Sequence, residues 1–513
     1  MRSPVSRRAF LAGGVALLPY SRVYPTLRSG QRPGFRSSPF TLGVASGDPS
    51  PDGVVLWTRL APDPLNGGGM GPAPVEIRWD IARDERMSGV VKSGTAVATS
   101  DWAHSVHVEV EGLDADRWYW YRFRVGDEQS AIGRTRTLPA ASSVVERLRF
   151  AFVSCQHFEQ GYFTAHRHLS AEDVDLVFHL GDYIYEGPGT DGRVRRHIGR
   201  ARMTLDDYRN RYAQYRGDPD LQAAHAACPW IVTWDDHEVA NNYAGDRADD
   251  NGPVEPFLRR RAAAYRAYYE HMPLRRASIP RGPSLRLHRQ FSYGTLASFF
   301  VLDTRQYRTD QPCGGEPRAA CEGVFDPRAT LLGPEQERWL LDGLRGSRHR
   351  WNVMPQQVMM ARTDSVPGPE QRLSMDRWSA YAAERTRVLD FLRTRRPANP
   401  IVLSGDIHSN WVNDLRVDFD DPRSPVVATE FVGTSISSGG DGSDVPEEAK
   451  KYLSENDFVK FFNSQRGYVS CELTSRTLRA DYRIVEYVSR PGAPRQTKAS
   501  FVVEDGRPGA LRA

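Results

Sequence analysis

Four apolar runs in this sequence end in side chains able to bind a metal: Ser154-Cys155-Gln156-His157, Gly181-Asp182-Tyr183-Ile184-Tyr185-Glu186, Asp235-Asp236-His237-Glu238 and Gly405-Asp406-Ile407-His408. Singly, each residue has an ordinary explanation. Cys155 could pack as a small hydrophobe, Tyr185 as a core aromatic, and His408 as a capping or core histidine. Ligands gather beyond the carboxyl ends of strands in open α/β sheets, so four such ends converge on one site if their strands share a sheet. Cys155, Tyr185, Asp182 and His408 offer a thiolate, a phenolate, a carboxylate and an imidazole, an anionic set that favours trivalent iron over zinc or magnesium. Asp236 and Asp406 give oxygen-only surroundings, which suit Ca2+. Asp182 is the natural bridge, since a carboxylate has two oxygens to share. The amide oxygens of Asn241 and Asn242 are close by in sequence. Arg305, in Asp303-Thr304-Arg305, could grip a phosphate bidentately or anchor the disulfide loop between Cys313 and Cys321.

These residues need a layered scaffold. Strand-length apolar runs at Leu148–Val153, Val174–Leu180, Trp230–Trp234, Leu296–Leu302, Trp351–Met354 and Pro400–Leu403 alternate with helical stretches. Helices are expected over Thr204–Tyr215, Phe257–Glu270, Pro334–Leu344 and Ala380–Leu392, the last with Val388, Leu389 and Leu392 on one face. From Phe40 to about Pro139 the pattern is all-β instead. Val75–Trp79, Val106–Val110 and Trp118–Val125 alternate between apolar and polar residues, bounded by Gly, Asp and Pro, as in an immunoglobulin- or fibronectin-like sandwich. Leu138–Ser143 then reads as a linker.

The charge balance, 68 Lys+Arg against 64 Asp+Glu over 513 residues, argues against a nucleic-acid complex. No apolar run is long enough for a membrane span. Ser6-Arg7-Arg8-Ala9-Phe10-Leu11, before a short, weakly apolar stretch, matches the twin-arginine export pattern, so the twin-arginine machinery is an expected partner and the mature chain is expected in the periplasm or outside the cell. Of the five cysteines, Cys313 and Cys321 enclose CGGEPRAAC, a loop that a disulfide could close in an oxidising compartment. The chain is expected to be monomeric.

The Gly-Asp-x-x-Tyr and Gly-Asp-x-His blocks resemble the calcineurin-like metallophosphoesterase signature, with three departures. Cys155 stands near the first Asp position, Asp236 replaces Asn and Asp406 replaces His. These departures, with FTLGVASGDPSPDGVVLWTRLAPDP, WDDHEVANN, LDTRQYR, PQQVMM and TSISSGGDG, are similar to the PhoD-type alkaline phosphatases and phosphodiesterases from Phe40 to near Tyr482. The resemblance implies an α/β fold of metallophosphoesterase type, layered sheets flanked by helices, preceded by the all-β sandwich. Its domains would be a signal region over 1–35, the sandwich over 38–139 and the catalytic domain over 144–500. It implies hydrolysis of phosphate monoesters or diesters with Fe(III) and calcium. It also suggests a second calcium, for which Asn242 is the candidate helper. It places His237 beside the leaving group as general acid, held by Asp235 or Glu238, unless it serves only to prop Asp236. Two other readings stand beside this one: a secreted phospholipase D-like phosphodiesterase, and a non-catalytic protein whose sandwich grips cell-wall polymer over a closed metal site.

Overall fold

The structure, a computed structural model, describes residues 35–201, 203–249 and 252–513. The twin-arginine motif lies outside the described residues.

Two large sheets are stacked. The first has ten strands, and its centre is parallel: Arg147–Val153, Leu176–His179, Trp230–Val232 and Val44–Ser50 lie side by side in that order. Phe150 pairs with Leu176, and Val177 with Trp230. The second sheet has seven strands, with Ala297–Val301, Trp351–Pro355, Pro400–Ser404 and Val426–Val432 adjacent in parallel. Parallel strands buried on both faces read as continuous apolar runs, which is why the sequence showed these so clearly. Between the sheets Phe150, Phe178 and Ile231 of one meet Phe299, Val353 and Ile401 of the other. The rings of Phe178 and Phe299 are centred 4.9 Å apart.

Helices close the outer faces. Leu205–Arg216 and Val254–His271 cover the ten-stranded sheet with tyrosines, among them Tyr208, Tyr212 and Tyr268. The first begins in a capping box, Thr204 accepting from the Asp207 N–H while Asp207 accepts from the Thr204 N–H. Gly333–Gly346 and Ala382–Arg395 cover the seven-stranded sheet through Leu340, Leu344, Val388 and Leu389. Helix, sheet, sheet, helix is the layered α/β arrangement the sequence implies. The expected helices agree to within three residues at each end; the start of the last is a short 3-10 turn, Trp378–Ala380, before the α-helix.

The N-terminal all-β region is a sandwich, but one of its two layers is not its own. Val44–Ser50, Gly53–Arg59 and Ser105–Val110 form one end of the ten-stranded sheet, with Gly47 opposite Trp230. The opposing five-stranded sheet contains Val75–Ala82 and Trp118–Val125, and packs Ile77, Ile81, Tyr121 and Phe123 onto Val54, Leu56 and Val108. At the other end the sheet runs on through Arg495–Glu504 and Arg507–Arg512. Cys313 and Cys321 form a disulfide; Cys155, Cys228 and Cys471 are free and buried.

Candidate metal centre

The four strand ends meet where the two sheets face each other, and two glycines permit the approach. A Cβ on Gly181 would lie 2.4 Å from the Asp235 Cβ, and one on Gly405 would lie 2.6 Å from Ser154 Oγ. The Gly of each Gly-Asp pair is therefore required by the close approach of the neighbouring strand end. Three of the four strand ends then turn sharply through left-handed residues: Cys155 at φ 58°, Asp182 at 57°, and Asp406 and His408 at 65° and 56°. A non-glycine residue pays roughly 1–2 kcal/mol for this conformation, and such strain collects at functional sites. Amides lock the turns together, Cys155 N–H donating to Gly181 O at 3.0 Å and Gln156 N–H to Asp182 O at 3.1 Å. Glu238 ties in the third strand by accepting the N–H groups of Asp182, Tyr183 and Asp235 at 3.1, 2.6 and 2.9 Å.

Three overlapping groups of ligand-type atoms result, each group within 4.8 Å: Cys155 with Asp182 and His408, Asp182 with Asp236 and His237, and Asp235 with Asp236 and Asp406. Asp182 belongs to two of them, as a bridging carboxylate should. Tyr185 completes the first group, its hydroxyl donating to Asp182 Oδ2 at 2.8 Å and lying 3.1 Å from His408 Nε2. Ser438 Oγ lies 2.7 Å from the Tyr185 oxygen and 2.8 Å from Cys155 O. Burial, then the nearby Asp182 carboxylate, push the Cys155 thiol and the Tyr185 phenol well above their usual pKa values. Asp182 Oδ1 is buried with no hydrogen-bond partner. A multivalent cation fits here: it would ionise the thiol and phenol and satisfy the orphaned oxygen.

The carboxylate-rich end is organised around Arg305, which is fully buried. Arg305 Nε pairs with Asp235, Nη1 donates to Asp376 at 2.9 Å, and Nη2 lies 3.7 Å from Asp236 and 3.8 Å from Asp406. This corrects both expectations for Arg305: its guanidinium is spent as a counter-ion beneath the carboxylates, and it neither reaches outward nor contacts the disulfide loop. Burial opposes ionisation of Asp236, but Arg305, His237 and the Asn242 N–H outweigh it and hold this carboxyl below its usual range. For Asp406 burial prevails over Arg377 and Arg305, and its pKa is raised. Arg377 Nε donates to Asp406 Oδ2 at 3.1 Å.

His237 is held by neither Asp235 nor Glu238. Its Nδ1 lies 2.7 Å from Glu186 Oε2, because Asp235 is committed to Arg305 and Glu238 to three amides. Burial disfavours the imidazolium, yet Glu186, Asp236 and Asp182 raise its pKa well above the ordinary value. Asn242 is adjacent but acts through its backbone, its N–H donating to Asp236 Oδ2 at 2.7 Å and its carbonyl accepting from Gln311 at 2.6 Å. Sequence reasoning did not assign Glu186, Arg377, Asp376 or Ser438. Glu186 directly follows Tyr185 and Ser438 lies within the quoted TSISSGGDG block, so both were visible; Asp376 and Arg377 follow a loop without periodicity.

Two stacked sheets flanked by helices, with a shared aspartate among metal-type ligands at their strand ends, define a metallophosphoesterase-type hydrolase. Residues 150–482 match the PhoD-like phosphatase family and residues 27–139 match the N-terminal domain of PhoD-like phosphatases. The chain is 51% identical over 482 residues to alkaline phosphatase D of Bacillus subtilis (strain 168), covering 93% of this chain and 83% of that protein. A solved structure of PhoD superposes with a TM-score of 0.92 at 50% identity, covering 94% of this chain and 93% of the other. The chain belongs to the PhoD-like phosphatase family and is a phosphoester hydrolase. No helix among the described residues is long and apolar enough to cross a membrane.

Proposed function

We propose that this chain hydrolyses phosphate monoesters or diesters using Fe(III) held by Cys155, Asp182, Tyr185 and His408, beside calcium held by Asp182, Asp236 and Asp406. Asn242, whose backbone N–H holds Asp236, is the candidate helper for a second calcium. The reading also has the chain exported by the twin-arginine machinery to the periplasm or beyond, where it acts as a monomer.

The observation that carries the metal assignment is Asp182, shared between two ligand groups and with Oδ1 buried and unpartnered. When bound, the cations neutralise phosphoryl oxygens and acidify the attacking water. The chain supplies the rest. His237, with Nδ1 fixed on Glu186, is left with Nε2 to give a proton to the departing alkoxide. Arg305 keeps the floor of carboxylates from repelling one another and holds Asp236 ionised, ready to bind a cation. Strained turns at Cys155, Asp182, Asp406 and His408 fix the donors before anything binds, which limits the reorganisation left for the reaction.

Metal analysis of the exported protein, with monoester and diester assays before and after chelation, tests the reading. Activity should vanish with chelator and return more fully with Ca2+ than with Zn2+. Recovery with Zn2+ alone would end the calcium assignment.

A further inference from the structure

Away from the metal centre, on the outer side of the seven-stranded sheet, lies a cavity of 470 Å³ bordered by Ala382 and Ala383 at the start of the helix Ala382–Arg395. No side chain caps this helix start, since Tyr381 stands at the N-cap position without a cap hydrogen bond. Arg385, one turn in, lines the same cavity and is 5% exposed. Among the described residues one of its five N–H groups has a protein partner, Nη1 reaching Trp378 O at a long 3.4 Å, and the buried Nε has none. No carboxylate is paired with it among the described residues. Asp420, at the border of the cavity, is taken by Arg362, whose Nη1 donates to it at 2.9 Å. The ring of Phe419 lies 5.2 Å from the Arg385 guanidinium, a partial compensation. Burial, then the neighbouring Arg362, push the Arg385 pKa down to about 9, and the attraction of Asp420 offsets them only in part.

A buried guanidinium with one weak hydrogen bond is costly unless something else pairs with it. The cavity is roomy enough for that partner, and its walls state what the partner must be. Phe325, 64% exposed, Val324, Leu373 and Phe419 make them largely apolar. The carboxylates of Asp418 and Asp420 at the border disfavour a multiply charged guest. We propose that this cavity binds a small organic monoanion, its oxyanion head on Arg385 and the open helix start, its apolar body against Phe325 and Phe419. The inference does not rest on the hydrolytic reading of the metal centre.

Benzenesulfonate is a suitable probe, having one charge, an aromatic body and no ester to hydrolyse. Titration calorimetry on the full chain should show saturable one-site binding that inorganic phosphate does not displace. Arg385→Met, which keeps the length and removes the charge, should weaken binding by about tenfold or more and leave hydrolysis of p-nitrophenyl phosphate unchanged. Phe325→Glu, at an exposed position that should not disturb folding, should weaken binding several-fold and keeps the test valid if Arg385→Met does not fold. Asp182→Asn should bind the probe as the wild type does. No binding by the wild type, equal binding by the wild type and both cavity variants, or binding lost only in Asp182→Asn would each overturn the proposal.

Discussion

At one end of the metal centre Cys155 and Tyr185 are held by Ser438, the backbone and, at the Tyr185 hydroxyl, the Asp182 carboxylate, while Arg466 and Arg211 bond the carbonyls of His408 and Tyr185 and none of the donor atoms. At the other end Asp235, Asp236 and Asp406 face Arg305, and Arg377 adds a second cation at Asp406. The two ends solve the same electrostatic problem differently. Where the protein supplies arginines, at least Asp236 is held ionised in advance. Where no arginine bonds the donor atoms, burial and then the Asp182 carboxylate keep the thiol and phenol protonated until a cation arrives. The sulfur end should therefore take metal with release of protons, tightly and slowly, and the carboxylate end should exchange its metal readily.

Asp182 is the place where that comparison can be broken outright, because it belongs to both ends. Asp182→Asn keeps the shape and removes the shared charge. Turnover should fall by about 1,000-fold or more, on the order of 4 kcal/mol in the barrier, and both iron and calcium content should drop. If only one metal were lost, Asp182 would not bridge and the two ends would be separate sites.

Cys155→Ala sharpens the comparison by striking the sulfur end alone. Thiolate and phenolate donation to Fe(III) should give the purified enzyme a visible absorption band. The variant should lose most of that band and of its iron, with turnover down on the order of 100-fold, while calcium binding survives. The cost in stability should be small, about 1 kcal/mol, since the buried Cys packs as a small hydrophobe. Colourless, fully active Cys155→Ala would falsify the iron-thiolate assignment.

How much of this was legible in the sequence follows the same physics. Six of the eight parallel core strands were visible because both their faces are buried, and Asp182, Tyr185, Asp236 and His408 because each follows such a run within a few residues. The partners of those ligands were harder to read. Glu186 was adjacent in sequence to a recognised ligand, but its pairing with His237 depends on Asp235 and Glu238 being occupied elsewhere, which only the three-dimensional arrangement decides. Arg305 looked like a phosphate ligand because an arginine after a strand can point outward. Its burial under four carboxylates, Asp235, Asp236, Asp376 and Asp406, is a non-local fact. The sandwich was recognisable from alternation, but alternation within Val106–Val110 carries no record of which sheet the strand joins, so its continuity with the catalytic sheet was not.

Arg377 offers the smallest and most discriminating test of the carboxylate end. Its Nε donates to Asp406 Oδ2 at 3.1 Å, and its side chain is 23% exposed, so solvent screens part of its charge. Arg377→Gln separates the hydrogen bond from the charge. The amide can still donate a hydrogen bond to Asp406, so the carboxylate need not swing away. The positive charge is gone, and with it the repulsion that a divalent cation at Asp406 feels from that guanidinium. Because the screened repulsion between such charges is modest, apparent calcium affinity should rise only about two- to fivefold, with iron content and the visible band unchanged. The sign is the informative part. If calcium affinity falls in Arg377→Gln, the arginine holds the carboxylate in place more than it repels the metal. The carboxylate end would then depend on its arginines for geometry, as the sulfur end depends on Ser438, and the contrast between the two would lie in the sulfur and phenol donors alone.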